Sequence, residues 1–138
     1  MKRPIVSLLL SLSCLGLAAC ATGQSELTAS PAADRKEVLA PIESAEIKVR
    51  ESSPPQYTLH VVSGLPSGCA RFSRIDVQRQ GTTIDVKVLN SVPADDNVMC
   101  TMLYGTARNS APLGSGFRSG TTYEVRVNNQ RTILFTAQ

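Results

Sequence analysis

The 138-residue sequence contains no tryptophan and a single histidine, His60, and aromatic residues make up only 4% of it. Ser-His-Asp hydrolases need a histidine base between a nucleophile and an orienting acid, and no Gly-x-Ser-x-Gly turn occurs here. Metal hydrolysis needs about three ligands and an open position. We therefore interpret His60 as a surface residue of a strand and predict no catalytic constellation.

Long apolar runs are also scarce. The longest covers residues 5–17 behind Lys2 and Arg3, and it is shorter than the roughly 20 residues that a membrane-spanning helix needs. A short positive segment followed by an apolar core of this length is typical of a secretory signal. The N-terminus therefore predicts export.

Leu17-Ala18-Ala19-Cys20 closes the apolar run and resembles the bacterial lipobox. The resemblance implies a lipoprotein signal peptide over residues 1–19 and a diacylglycerol thioether on Cys20, which becomes the first mature residue. Cys20 would then be the only membrane attachment. Ala21 rather than Asp follows, which implies the outer membrane, on its periplasmic or outward face, in a host with two membranes. An ordinary Ala-x-Ala signal with a chance cysteine is the alternative.

Excess charge is absent from the mature chain. Removing Lys2 and Arg3 from the 14 basic side chains leaves 12 against 11 acidic ones, a net charge near +1. Nucleic-acid binding requires clustered Lys and Arg on one face. We expect no nucleic-acid partner.

Four cysteines occur without a Cys-x-x-Cys pair. Cys14 leaves with the signal and Cys20 carries lipid, so Cys69 and Cys100 remain in an oxidising compartment, where a disulfide is the simplest outcome. On the chain-entropy relation a bridge of this span stabilises the fold by roughly 3–4 kcal/mol. A two-cysteine metal or redox site is the alternative.

Three regions follow from the patterning: the signal (1–19), the lipidated Cys20 with a flexible linker (20–43), and a folded domain (44–138). Residues 34–39 favour a helical turn within the linker. From residue 44 apolar and polar residues alternate with period two, which predicts half-buried strands. Residues 98–104 are apolar on both faces and predict a central strand, and residues 105–120 predict a long irregular connection. The predicted strands cover residues 45–50, 57–62, 69–79, 84–88, 98–104, 123–127 and 131–137.

Seven strands with frequent turn signals predict an all-β fold, an antiparallel seven-stranded β-sandwich. The segment from Phe117 through Gly120 to Tyr123 resembles the approach to the penultimate strand of immunoglobulin-like and fibronectin-type domains. This resemblance implies that the Tyr123 hydroxyl bonds back to the preceding loop. The lack of tryptophan argues against an antibody-type domain. Residues 56–137 are also similar to a domain of bacterial exported proteins, which implies a fold and a location but no activity.

Several motifs have both a functional and a structural interpretation. Asp95, Asp96 and Asn97 offer oxygen ligands for Ca²⁺ or cap a turn. Met99 and Met102 with His60 offer copper ligands or fill the core. The glycine-rich residues 114–120 lack a Gly-Lys-Ser/Thr ending and argue against phosphate binding. Two further sets are a carboxylate group without an evident pair (Asp76, Asp85, Asp95, Asp96, Glu124) and an arginine strip for anionic polymers (Arg71, Arg74, Arg79, Arg126, Arg131).

We predict a non-catalytic, lipid-anchored envelope protein, without a cofactor or metal, whose end loops bind a protein or cell-wall component. An inhibitor or chaperone-like partner of an exported protease, using residues 64–68 and 105–120 as a wedge, is the alternative. An enzyme or metal carrier is the third hypothesis. The binding residues we expect in these loops are Gly64, Leu65, Pro66, Leu113 and Phe117.

Overall fold

The computed structural model describes residues 34–138, so the predicted signal peptide, Cys20 and the linker up to residue 33 lie outside the described residues. Within the described range, no helix is long and apolar enough to cross a membrane. Eight strands are assigned there: β1 Arg35–Leu39, β2 Ile42–Arg50, β3 Gln56–Leu65, β4 Arg71–Gln80, β5 Thr83–Pro93, β6 Gly105–Gly114, β7 Thr122–Val127 and β8 Arg131–Thr136.

The eight described strands form two sheets of a β-sandwich. One sheet has the order β2-β3-β6, and the other joins β4, β5, β7 and β8 with β1. Strand β4 pairs along one edge of β5, so β7 and β1 share the other edge, β7 beside residues 83–86 and β1 beside residues 89–93. The sandwich was predicted to be antiparallel and seven-stranded; the described part has eight strands, and β5 and β7 run parallel.

The core lies between the sheets and follows the predicted alternation. Every second side chain of β3, β5 and β7 points inward and is buried, because successive strand residues face opposite sides. These positions are mostly Val, Leu and Ile, which pack well on a pleated surface. The central buried side chains are Leu59, Val61, Ile84, Val86, Val88, Val125 and Val127.

An aromatic cluster fills one end of the sandwich. Phe117 packs edge-on against Tyr57 and Tyr123, with both ring centroids 4.8 Å away, and Phe135 completes the group. The Tyr123 hydroxyl accepts a hydrogen bond of 3.0 Å from the Arg118 backbone N–H. This is the contact back to the preceding loop that the immunoglobulin-like resemblance implied.

Replacing Tyr123 with phenylalanine tests that contact. The change keeps the ring but leaves the partly buried Arg118 N–H without its acceptor, so we expect the free energy of unfolding to fall by about 1 kcal/mol. Urea denaturation followed by circular dichroism measures it. Tyr57→Phe is the matched control, because among the described residues the Tyr57 hydroxyl accepts a single hydrogen bond, from the Gln138 N–H, whereas the Tyr123 hydroxyl also accepts from the Arg79 guanidinium at 3.4 Å. Equal losses in both variants would contradict the account.

Asn128 closes a gap between β7 and β1 along the edge of β5. Its backbone N–H donates to the Val86 carbonyl, and its side-chain Oδ1 accepts from the Val88 N–H at 2.8 Å. Its Nδ2 donates to the carbonyls of Ala40 and Val88, at 2.8 and 2.9 Å. The residue has a φ of +49° at the predicted Asn128-Asn129 turn. A buried side-chain amide thus continues the ladder where neither strand reaches.

The N-terminal boundary of the domain was placed too late. Residues 34–39 were expected to form a helical turn in a linker, but Arg35–Leu39 is strand β1, paired with β5 from Leu89 to Pro93. The Glu37 carboxylate accepts from the Ser73 hydroxyl and the Arg74 guanidinium, and these hydrogen bonds lower its pKa. Tertiary contacts with β5 and β4 therefore override the local helix preference, and residues 35–39 belong to the sandwich.

Two predictions between residues 98 and 120 were wrong. Residues 98–104 form no strand, although they were expected to be a central one. Strand β6, Gly105–Gly114, instead occupies the segment expected to be irregular and pairs with β3 from Leu65 to Tyr57. The Gly, Ser, Asn and Pro residues of β6 are typical of a loop, so the sequence did not predict a strand here. The strand forms because its backbone pairs with β3.

Candidate functional site

The three most exposed large apolar side chains of the described residues lie in residues 98–104, which we call the apolar loop. Met99 is 97% exposed, Met102 89%, Leu103 73% and Tyr104 56%. Apolar residues exposed singly are ordinary, but a contiguous group marks a contact surface. We therefore take the apolar loop as the candidate site. The most apolar surface was expected around residues 64–68 and 105–120, and the structure places it between these segments in sequence.

A disulfide and a backbone hydrogen bond fix the apolar loop to the turn after β3. Cys69 and Cys100 lie at disulfide distance, with their Cα atoms 5.5 Å apart. One residue further along, the Thr101 carbonyl accepts a 2.9 Å hydrogen bond from the Gly68 N–H. The Thr101 side chain fills the space where a Cβ on Gly68 would lie. The side chains of the apolar loop are therefore exposed, while its backbone at Cys100 is covalently held to Cys69.

Tyr104 holds the other end of the apolar loop. Its hydroxyl donates to the Glu43 carboxylate, and this acceptor raises the pKa of the Tyr104 phenol. The ring lies across Gly64, where a Cβ would overlap the hydroxyl and the ring carbon that carries it. Gly64 is buried, Leu65 is half-buried and Pro66 is exposed. Of these three predicted binding residues, Gly64 serves to seat Tyr104.

Replacing Gly64 with alanine should therefore displace Tyr104 from Glu43. The bonded phenol titrates above its ordinary pKa of about 10, so this contact contributes below that pH and is lost as the pH rises through the raised folded value. We expect the pKa of Tyr104 in Gly64→Ala to return toward the ordinary one, as measured by ring NMR shifts against pH. Gly105→Ala is the control, because its Cβ would meet Leu65 at an ordinary 3.8 Å. An unchanged titration in Gly64→Ala would contradict the seating of Tyr104.

The base of the apolar loop lies beside the start of the described chain. The Asp34 carbonyl accepts from the Ala94 N–H at 2.7 Å, and Lys36 pairs with Asp96 at 2.8 Å. The Arg35 guanidinium donates to the carbonyl of the bridged Cys69 at 2.8 Å. The chain therefore enters the sandwich at the same end as the apolar loop.

Leu113 and Phe117, the other predicted binding residues, are not part of this site. Antiparallel pairing places Leu65 beside Gly105 and Tyr57 beside Gly114. Residues 64–68 therefore lie beside Gly105, the start of the predicted 105–120 segment, while Gly114 lies at the other end of β3, about 26 Å away at 3.3 Å per residue. Both side chains pack against the core, so they do not lie beside residues 64–68.

His60 lies on the outer face of the three-stranded sheet. Pairing aligns it with Glu46 on β2 and Ser110 on β6, a cross-strand row of an acid, a histidine and a serine. Among the described residues no hydrogen bond joins His60 to either neighbour, and Glu46 pairs with Lys48 at 3.2 Å. The half-buried imidazole lines a groove of about 430 Å³ together with Glu46 and Arg108.

The candidate metal ligands do not converge within residues 34–138, where no group of three His, Cys, Asp or Glu side chains is placed to hold an ion. The Asp95 carboxylate accepts two 2.9 Å hydrogen bonds from Asn97, which lower its pKa, and Lys36 lowers the pKa of Asp96. These contacts are those of a capped turn. Met99 and Met102 point away from any core, so their interpretation as core residues was wrong.

The arginine strip is divided among separate contacts. Arg74 pairs with Glu37 and Asp76, and Arg126 pairs with Glu124 at 2.8 Å. Arg79 lies over the Phe117 ring at 4.1 Å from its centroid, and Arg131 donates to the Glu43 carbonyl.

The glycine-rich turn lies at the end of the sandwich opposite the apolar loop. It adopts positive φ at Gly116 and Gly120 and places Phe117 in the core. These residues serve the fold.

Sequence reasoning identified the disulfide partners and missed the apolar loop. The available signal was a run without alternation, flanked by the turn at Asp95–Asn97 and by Gly105.

In the comparison with known proteins, residues 59–137 match the family model of the ORF11 beta-sandwich domain. No curated protein and no solved structure matches the chain. The matched segment runs from β3 to the end of β8, and it contains both cysteines and the apolar loop.

Proposed function

The chain belongs to the ORF11 beta-sandwich domain family, and from this premise we propose that it is a non-catalytic, lipid-anchored protein of the cell envelope that binds another envelope component. The apolar loop is the observation that supports the binding role. Its four large apolar side chains are exposed to solvent, while a disulfide fixes its backbone. A fixed, exposed loop on a rigid sheet is a common arrangement for recognition.

The lipid anchor is supported by the N-terminal sequence. Leu17-Ala18-Ala19-Cys20 follows a basic start and an apolar run, as in lipoproteins whose acyl chains hold them to a membrane. The location that fits is the periplasmic or outward face of an outer membrane, where the host has one. The Tyr123 contact with Arg118 supports an immunoglobulin-like arrangement within the sandwich class.

The non-catalytic assignment rests on His60. General-base catalysis requires a base within hydrogen-bond reach of its proton donor, and the hydrogen bonds of the described chain do not connect His60 to Ser110 or Glu46. The Glu46 carboxylate is held by Lys48 instead. A loss of hydrolase activity on His60→Ala would overturn this assignment.

Cys20→Ser in the full-length precursor tests the anchor. In a bacterial host that processes lipoproteins, we expect the wild-type protein to partition into detergent and the variant to accumulate as unprocessed or soluble protein. Cys14→Ser is the matched control, since this cysteine is removed with the signal in our account, and it should behave as wild type. Normal membrane partition of Cys20→Ser would contradict the proposal.

Inhibition of an exported protease is the second candidate function, and one observation favours it. Met102 and Leu103 project between two fixed points, the Cys100 disulfide and the Tyr104–Glu43 contact. A preorganised loop binds with less loss of conformational freedom. Titrating the purified protein against a serine protease that prefers large apolar residues should then give inhibition that Met102→Asp removes. The absence of inhibition in both would exclude this candidate for that protease class.

A further inference from the structure

We propose that the apolar loop contacts the lipid surface to which Cys20 is attached. The inference rests on the proposed anchor and names the partner of the same site. It assigns the four exposed side chains to the headgroup and upper acyl region of the membrane, where amphipathic protein surfaces bury about 5–10 Å.

The point of chain entry places the apolar loop near that membrane. Asp34, the first described residue, accepts from the Ala94 N–H at the base of the segment that leads into the loop. Thirteen residues separate it from Cys20, and even a fully extended chain of this length reaches at most about 50 Å. The apolar loop is thus on the end of the sandwich that the anchor holds toward the lipid.

The chemistry of the apolar loop suits a lipid interface. Residues 98–104 contain no Asp, Glu, Lys or Arg, so no charge would be drawn into the acyl region. Met99 and Met102 are unbranched and adapt to an irregular environment. Tyr104 combines an apolar ring with a hydroxyl held by Glu43, and tyrosine is enriched at the membrane–water boundary.

Some of the charges around the apolar loop are paired. Lys36 neutralises Asp96 and Arg74 neutralises Glu37, while Arg35 lies at the base of the loop beside Cys69. The carboxylates of Asp34, Glu43 and Asp95 form no ion pair among the described residues, and two guanidiniums, Arg35 at the base of the loop and Arg131 on the Glu43 carbonyl, lie close to them. The balance is compatible with zwitterionic and mildly anionic lipid.

The shape of the site favours lipid over a folded protein partner. A stable protein interface buries about 800 Å² on each side across some 20–30 residues, whereas here a single short loop projects with four large apolar side chains. Two attachment points, Cys20 and the apolar loop, would fix the orientation of the sandwich. The end with Phe117 would then face away from the membrane.

The absence of tryptophan makes a direct test available. Leu103→Trp places a single fluorophore in the apolar loop, and Leu134→Trp on β8, an exposed position of similar accessibility, is the matched control. Both lipidated proteins are reconstituted into vesicles of phosphatidylethanolamine and phosphatidylglycerol, with and without brominated acyl chains. Flotation of the vesicles measures the anchor separately from the loop.

We expect Leu103→Trp to show a blue-shifted emission and to lose most of its intensity with brominated lipid, while Leu134→Trp emits as in water. Adding Met99→Asp and Met102→Asp to Leu103→Trp should remove the quenching while flotation persists. If the proteins float and both fluorophores remain in water, or if the shift requires added envelope protein, the inference is wrong and the anchor stands. If the proteins do not float and Cys20 is unmodified, the anchor and the inference are both overturned.

Discussion

Replacing Asn128 with alanine is expected to lower the free energy of unfolding by about 2–4 kcal/mol. The side chain is 8% exposed and serves the Val88 N–H and the carbonyls of Ala40 and Val88. Truncation leaves the Val88 donor and the Ala40 acceptor inside the fold without this partner. The Val88 carbonyl keeps its bond from the Ala40 N–H, and the Ala40 carbonyl keeps a long one of 3.4 Å from Gln130 Nε2, so the loss is smaller than three independent bonds.

Asn129→Ala is the matched control for this prediction. Both residues have positive φ, +49° and +55°, so alanine meets similar backbone strain at each. Asn129 is exposed, and its side chain makes no hydrogen bond among the described residues. The difference between the two variants in urea denaturation therefore isolates the side-chain amide. Unfolding free energies within about 0.5 kcal/mol of each other would contradict the bridging role of Asn128.

We expect the double variant Cys69→Ala, Cys100→Ala, which lacks the disulfide, to lose about 3–4 kcal/mol in the free energy of unfolding. The bridge spans 31 positions, and a loop of that length restricts the unfolded chain. Urea midpoints of the oxidised wild type, the reduced wild type and the double variant measure the effect. The reduced wild type should approach the variant. A double variant as stable as the oxidised protein would contradict the prediction.

The same variant should release the apolar loop. Among the described residues, the Gly68–Thr101 and Val98–Asp95 backbone hydrogen bonds and the Tyr104–Glu43 contact would still hold it. We therefore expect the Gly68 amide, which donates to the Thr101 carbonyl, to exchange hydrogen faster under native conditions, while the amides of β5 stay protected. Unchanged exchange at Gly68 would show that the disulfide does not fix the apolar loop.

Much of the sandwich could be predicted from periodicity. Strands β3, β5 and β7 are central and bury alternate residues, and their apolar positions, such as Leu59, Val86 and Val125, appear in the sequence with period two. The tyrosine contact of Tyr123 and the turn at Asn128-Asn129 are also local features. Where a strand forms because one of its faces is buried, the strand predicted from the sequence matches the one in the structure.

The remaining elements depend on partners distant in sequence. Strand β1 exists because its backbone pairs with residues 89–93 of β5, and β6 because it pairs with β3. Neither strand has a strong apolar alternation. The prediction of a strand over residues 98–104 was wrong for the opposite reason. The composition of this segment resembles that of a buried strand, but Cys100 and Thr101 tie it to residues 68–69 at the end of the sandwich.

The mass of the mature N-terminal peptide tests the central claim most directly. Full-length protein is isolated from the membranes of a host that processes lipoproteins, and its N-terminus is analysed by mass spectrometry after proteolysis. The account predicts a peptide that begins at Cys20 and carries diacylglycerol on the cysteine sulfur. A peptide that begins elsewhere, or an unmodified Cys20 in membrane-associated protein, would contradict the lipid anchor and the function built on it.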